Sequence, residues 1–76
     1  MQTNYRERYI RMGLKIQYYR KLKGYSQEKL AIKIGKSWSF IAQIESPTKA
    51  KGISLETLFK IAETLEIEPY QILKEE

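Results

Sequence analysis

Apolar residues recur every three or four positions along most of this chain, which is the spacing of one face of an α-helix. The clearest instance consists of two short apolar repeats on either side of Gly35. Ser26 precedes the first repeat and Ser37 the second, and serine is a favoured N-cap residue because its hydroxyl accepts a hydrogen bond from the first turn. Glycine ends a helix without the steric cost that a Cβ brings to the left-handed conformation. The pattern therefore predicts two short helices, at residues 27–34 and 38–45.

The inner faces of these two helices determine how they cross. Ala31 has the small side chain that a close approach of two helices requires, and residues 35–37 alone separate the helices. Two short helices that cross steeply at a tight turn form a helix-turn-helix, which the sequence predicts at residues 26–46. The inner residues are Leu30, Ala31 and Ile34 in the first helix and Phe40, Ile41 and Ile44 in the second.

The N-terminal segment predicts a longer helix. Asn4 and Glu7 have the spacing of a capping box, so this helix is expected to begin near Tyr5, and Gly24 is expected to terminate it. Gly13 lies beside the apolar stripe, where the lack of a side chain lets another helix approach. The stripe predicted to face inward comprises Tyr5, Tyr9, Met12, Ile16 and Tyr19.

Two more helices are predicted after the loop at residues 46–53. Ser54 is the expected N-cap of the fourth helix, and Pro69 suits the first turn of the fifth. The sequence thus predicts an all-α fold, a compact five-helix domain that spans residues 1–76. The residues expected to face its core are Leu55, Leu58, Phe59, Ile61, Ala62 and Leu65 in the fourth helix and Ile72 and Leu73 in the fifth.

The composition excludes several kinds of chemistry. The 76 residues include no cysteine and no histidine, which excludes disulfides, thiol catalysis, proton transfer by histidine and an ordinary zinc site. We therefore expect no catalytic residues, no cofactor and no metal, in a chain too short for a second domain. No apolar run is long enough to span a membrane, so a cytoplasmic protein without membrane contact is expected.

Charge is distributed unevenly along the chain. Residues 1–52 carry 12 Lys and Arg against 3 Glu, whereas residues 53–76 carry 2 Lys against 6 Glu, so the net charge of +5 divides into +9 and −4. Basic helix faces are often simply solvated. Where such an excess coincides with a helix-turn-helix, however, it favours a surface for nucleic acid.

The two apolar repeats, together with Ala31, Gly35 and Ser37, have the residue types and spacing by which the sequence resembles the helix-turn-helix transcriptional regulators of the lambda-repressor/Cro (XRE) type. The resemblance implies a lambda-repressor-like five-helix DNA-binding domain. Lys36 stands where the family usually has an apolar residue, and the loop at residues 46–53 is longer than usual. The matching residues are Gly13, Ile16, Arg20, Gln27, Leu30, Ala31, Ile34, Gly35, Ser37, Ile41, Ile44 and Glu45, followed by SLETLFKIAETL at 54–65.

The resemblance assigns roles to three polar residues. In the family, an Arg and a Glu at the places of Arg20 and Glu45 form a largely buried ion pair. Such a pair orients the helix that reads DNA, whereas a solvated surface pair would contribute little. The resemblance also assigns Gln27 a contact with a DNA phosphate, at a helix N-terminus whose free N–H groups favour anions.

The outer face of the third helix carries the predicted specificity. It consists of Trp38, Ser39, Ala42, Gln43 and Ser46, none of which is charged. In the major groove a Gln can bond to both N6 and N7 of adenine, and a Ser can donate or accept at any base edge. Gln43 and Ser39 are therefore predicted to read bases. Trp38 is predicted to cover a thymine methyl group or a sugar, or else to pack against its own domain.

Phosphate contacts are predicted on either side of the third helix. Lys49 and Lys51 are the charges of the loop that follows it, and loops at this place run beside the DNA backbone in the resembled family. Lys36 and Ser37, in the turn before the helix, are predicted to meet phosphates as well. Such contacts position a protein on DNA without specifying sequence.

The sequence thus predicts a sequence-specific transcriptional regulator of double-stranded DNA, a repressor that acts as a homodimer and is not an enzyme. A domain of this size covers one half-site, which is the reason for expecting two copies. The alternative functions are an antitoxin or another module bound to a protein partner, or a restriction-modification controller protein. The candidate dimer surfaces, which could instead belong to the monomer core, are a second apolar row formed by Ile10, Leu14 and Tyr18 and the C-terminal region around Tyr70.

Overall fold

The computed structural model of the protein describes residues 5–75. Within that range the chain forms five helices and no strand, which confirms the predicted all-α fold. None of these helices is both long and apolar enough to cross a membrane. Asn4, one half of the predicted capping box, lies outside the described residues. The helices are α1 at Arg6–Leu22, α2 at Gln27–Ile34, α3 at Trp38–Ile44, α4 at Leu55–Leu65 and α5 at Tyr70–Leu73.

Serine side chains start the three helices that follow α1. In each case the hydroxyl oxygen accepts a hydrogen bond from the backbone N–H three residues further on. α2 then ends at Gly35, whose φ of 73° is left-handed. The helix boundaries therefore follow from residues that are close in the chain. In these capping hydrogen bonds the backbone N–H of Lys29 donates to Ser26 over 3.0 Å, that of Phe40 to Ser37 over 3.1 Å and that of Thr57 to Ser54 over 3.1 Å.

Apolar side chains from all five helices fill the space between them. α1 packs against α4 and α5, and α2 packs against α3 and α4. Ile16, Leu30 and Ile41 are fully buried at the centre. Burial of a side chain of this size stabilises the fold by about 1.5–3 kcal/mol relative to exposure. The other buried members are Ala31, Ile34, Ile44, Leu58, Ile61, Ala62, Leu65 and Ile72.

α1 crosses the end of α3 at Gly13. A Cβ built on Gly13 would lie 1.8 Å from the carbonyl oxygen of Ile44, which is far inside van der Waals contact. The absence of a side chain at this position therefore lets the two backbones touch, as the sequence predicted. This crossing fixes the C-terminal end of α3 against α1.

Four apolar side chains that were predicted to face inward are instead exposed. Leu55 and Phe59 lie four residues apart on α4 and are 66% and 53% exposed, so they form one row at the edge of its apolar face. The neighbouring helices cover the centre of that face and leave the edge in solvent. Leu73 follows the fully buried Ile72 on α5 and, about 100° further around the helix, points away from the core. Tyr5 precedes α1 and is exposed.

Candidate nucleic-acid interface

α3 presents the outer face that the sequence predicted. Ile41 and Ile44 are buried on its inner side, and Phe40 packs against the core while remaining partly exposed. The opposite side faces solvent without a charged side chain. A helix face of this kind fits between the two phosphate backbones that border a groove of DNA. It comprises the exposed Trp38, Ser39 and Ala42 and the half-buried Gln43 and Ser46.

The two side chains predicted to read bases are bonded to each other. Gln43 Nε2 donates a hydrogen bond to Ser39 Oγ over 3.3 Å, one helical turn away. This bond restrains the Gln43 amide, which keeps an acceptor oxygen and a second N–H. These are the two groups that a bidentate contact with adenine requires.

A buried ion pair holds α3 to α1. Arg20 Nε donates to Glu45 Oε2 over 2.7 Å and Arg20 Nη2 donates to Glu45 Oε1 over 2.8 Å, while the two side chains are 8% and 1% exposed. Arg20 Nη1 donates to the carbonyl oxygen of Tyr25 over 2.7 Å. One guanidinium thus joins the end of α3 and the α1–α2 connection to α1.

A chain of hydrogen bonds continues from this ion pair to the outer face of α3. Gln27 Nε2 donates to Glu45 Oε1 over 3.0 Å, and Gln27 Oε1 accepts from Trp38 Nε1 over 3.1 Å. The partners dictate the orientation of the amide, because a carboxylate only accepts and an indole N–H only donates. The Trp38 ring, 58% exposed, is therefore held by its nitrogen and does not enter the core. The sequence did not identify Trp38 as the partner of Gln27. The available signal was that these two residues begin the two helices of the helix-turn-helix.

The lysines predicted to contact phosphates lie on either side of α3. Lys36 Nζ is 5.2 Å and Lys51 Nζ is 5.3 Å from the centre of the Phe40 ring, distances at which a cation is attracted to an aromatic face. Lys49 is exposed on the loop after α3. The Ser37 hydroxyl oxygen accepts the capping hydrogen bond of α3. Ser37 keeps this bond when its O–H group donates to a phosphate.

A further basic residue, Arg6, is tied to the loop after α3. Arg6 Nη2 donates to the carbonyl oxygen of Thr48 over 2.7 Å. The start of α1 thereby holds the segment that carries Lys49 and Lys51. The bond joins residues 42 positions apart in the chain, and no local pattern in the sequence signals such a contact.

Comparison with known sequences identifies the family. The sequence profile of a helix-turn-helix family matches residues 16–72. The chain belongs to this helix-turn-helix family, as its resemblance to the XRE-type regulators indicated. No curated protein sequence matches it significantly.

Three solved structures resemble the chain over most of its length. The restriction-modification controller protein C.AhdI from Aeromonas hydrophila has a TM-score of 0.82 at 28% identity, over 92% of this chain and 99% of that one. The master regulator for biofilm formation SinR, solved with DNA, has a TM-score of 0.76 at 33% identity, over 83% and 98%. A complex of the SinR and SinI proteins matches at 34% identity with a TM-score of 0.76, over 84% of this chain and 61% of that one. Fold and family together define a DNA-binding transcriptional regulator.

Proposed function

We propose that this regulator binds double-stranded DNA sequence-specifically, with α3 in the major groove, and acts as a homodimeric repressor. The observation that carries the proposal is the setting of α3. Its outer face is uncharged and open to solvent, while Arg20 and Glu45 fix the helix from behind. Specific binding requires both base contacts and phosphate attraction, and a rigid uncharged face bordered by lysines provides for both.

Base reading is assigned to Gln43 and Ser39. Gln43 donates to N7 and accepts from N6 of an adenine, while Ser39, bonded to Gln43, contacts the same or the neighbouring base pair. Trp38 covers a thymine methyl group or a sugar. Each good bidentate contact discriminates against the wrong base by about 1–3 kcal/mol.

Phosphate binding is assigned to the surroundings of α3. Gln27 contributes the second N–H of its amide at the start of α2, where the helix dipole also favours an anion. Each phosphate that is neutralised changes the slope of log affinity against log salt by about −0.9. These contacts act on any sequence, so they set affinity and not the choice of site. The other contributors are Lys36, Ser37, Lys49 and Lys51.

We assign the homodimer contact to a groove between α1 and α5. Tyr18 and Tyr70, which the sequence suggested as parts of two separate surfaces, line this one groove. They are 59% and 61% exposed, and Leu14, beside the groove on the same α1 row, is 40% exposed, so a second copy would remove these three side chains from water. Ile10 is half-buried and belongs more to the monomer. A dimer would present two α3 helices to half-sites about 34–36 Å apart.

Selection of bound sites from random duplex DNA, followed by mass measurement of the complex, tests the proposal. We expect a preferred site with two-fold symmetry, occupied by two chains. Binding that shows no preference among duplexes would contradict sequence-specific recognition. A preferred asymmetric site that holds one chain would contradict the homodimer alone, and an unchanged mass for Tyr18→Ala would contradict the groove.

A regulator controlled by a protein partner is the second candidate. The SinR protein, which this chain resembles, was solved together with the SinI protein. The row of Leu55 and Phe59 on α4 is exposed and offers an apolar contact for such a partner. Co-purification of one defined protein with the wild-type chain, lost on Phe59→Lys, would favour this candidate. A restriction-modification gene beside the gene for this chain would favour the controller role that C.AhdI has.

A further inference from the structure

Phe40 brings together two lysines that come from different segments of the chain. Lys36 lies in the turn before α3 and Lys51 in the loop after it, yet both Nζ atoms lie just over 5 Å from the centre of the same ring. This is within the range of about 6 Å in which a cation is attracted to an aromatic ring. Because the ring packs against the core, its position is fixed. It therefore restrains two lysine side chains that would otherwise be flexible.

The position of Phe40 on α3 is at the border between the core and the outer face. At about 100° per residue, Phe40 lies about 60° from Gln43, on the side of the helix away from Trp38. Trp38 marks the opposite border, where Gln27 holds it to α2. A helix in the major groove lies between two phosphate backbones, so its two borders face different strands.

We propose that Phe40 is a positioning residue that holds Lys36 and Lys51 as a paired cation for the phosphates of one DNA strand, opposite the strand that meets the start of α2. The inference rests on the proposed DNA binding. The two ammonium groups repel each other, and the ring attracts both, so it keeps them beside α3 in the free protein. An ammonium has three N–H donors, and those that point away from the ring remain available to a phosphate. Ordering the cations before binding lowers the entropy cost of each contact.

Substitution of Phe40 separates the effect of its ring from that of its bulk. Phe40→Leu keeps an apolar side chain and removes the aromatic face, whereas Phe40→Tyr keeps the ring. Affinity is measured over a series of salt concentrations, for the selected site and for an unrelated duplex. We expect Phe40→Leu to weaken both duplexes alike by about two- to tenfold, the factor that corresponds to ordering one flexible side chain on binding. The salt slope should become shallower by up to about 0.9 for each lysine that no longer meets a phosphate, and Phe40→Tyr should restore it.

Two further measurements separate this role from packing. In a Lys36→Ala/Lys51→Ala background, Phe40→Leu should weaken binding no further; an equal loss in both backgrounds would overturn the proposal. In the wild-type protein, the ring current of Phe40 should shift the side-chain proton resonances of Lys36 and Lys51. Unshifted resonances would also overturn the proposal, and this measurement does not depend on whether Phe40→Leu folds. Wild-type binding without any site preference would instead contradict the proposed function, which keeps the two failures distinct.

Discussion

Arg20 and Glu45 are joined by two parallel hydrogen bonds, and the Glu45 side chain is 1% exposed. Glu45 Oε1 accepts a third bond, from Gln27, so this carboxylate anchors both α1 and α2 at the end of the helix proposed to read DNA. A charge buried this deeply is tolerated because its partners replace the water it has lost. The main role of the ion pair is therefore to fix the position of α3.

Glu45→Gln is expected to lower the free energy of unfolding by about 3–5 kcal/mol, because it leaves the buried Arg20 charge without its counter-ion. Urea unfolding measures this change. The matched control is Glu56→Gln, which breaks an exposed pair with Lys60 of 3.9 Å and should cost about 0.5 kcal/mol or less. A Glu45→Gln variant as stable as the control would show that the pair does not hold α3 in place.

Gly13→Ala is expected to destabilise the protein in the upper part of the range of about 1–3 kcal/mol that overpacking typically costs, or beyond it. The added Cβ would collide with the Ile44 carbonyl oxygen, and neither backbone can move without shifting a helix. Gly52→Ala is the control, since nothing lies within 4 Å of its Cβ position, and it should be neutral or stabilising by up to about 1 kcal/mol. Equal thermal midpoints for the two variants would contradict the close crossing.

Gln43→Ala and Lys49→Ala are expected to affect DNA binding in different ways. Loss of Gln43 should relax the preference at one base position by about 1–3 kcal/mol. Loss of Lys49 should weaken binding to all sequences equally and reduce the salt slope by about 0.9. Titration of the selected site and its single-base variants measures both effects. If both substitutions act uniformly on all sites, α3 does not read bases through Gln43.

Gln27→Met is expected to release Trp38, the single tryptophan of the chain, because it removes the amide that accepts the indole N–H. The intrinsic fluorescence of the free protein should change. Affinity for all duplexes should fall because the phosphate contact of Gln27 is lost, and discrimination between DNA sites should fall because Trp38 is no longer oriented. The control is Glu28→Gln at the next, exposed position of α2, which leaves both bonds intact. Unchanged fluorescence in Gln27→Met would mean that the bond does not orient the ring.

The pair of Lys23 and Glu66 predicts a pH dependence of stability. The hydrogen bond from Lys23 lowers the pKa of Glu66 below its ordinary value, and the same bond raises the pKa of Lys23 above its ordinary value. The contribution of Glu66 is present above its unfolded pKa and is lost as pH falls through the folded value. The contribution of Lys23 is present below its unfolded pKa and is lost as pH rises through the folded value.

Glu66→Gln should therefore lower the thermal midpoint slightly near neutral pH, and the difference from wild type should vanish in strongly acidic solution. Glu66 is 72% exposed, although Lys23 is half-buried, so solvent screens the pair and the effect is small. Glu63→Gln removes an equal charge from the last turn of α4, the helix that Glu66 follows, and serves as the control. The same pH profile in both variants would assign the effect to net charge and not to Lys23.

The starts of α2, α3 and α4 and the end of α2 could be predicted from the sequence because each depends on a few neighbouring residues. Ser26, Ser37 and Ser54 cap their helices through bonds that span three positions, and Gly35 turns the chain through its own backbone freedom. The end of α4 shows the limit of such local rules. Glu66 takes the left-handed conformation there, with a φ of 58°, although nothing in its residue type favours it.

The amino-acid sequence by itself determined the helices, the helix-turn-helix and the uncharged outer face of α3, because local bonding and apolar spacing encode them. The tertiary structure alone decided which side chains meet across the molecule. It joined Gln27 to Trp38 and Arg6 to Thr48, and it left Leu55 and Phe59 in solvent. Such contacts depend on how whole helices pack, and the packing is fixed by distant residues acting together.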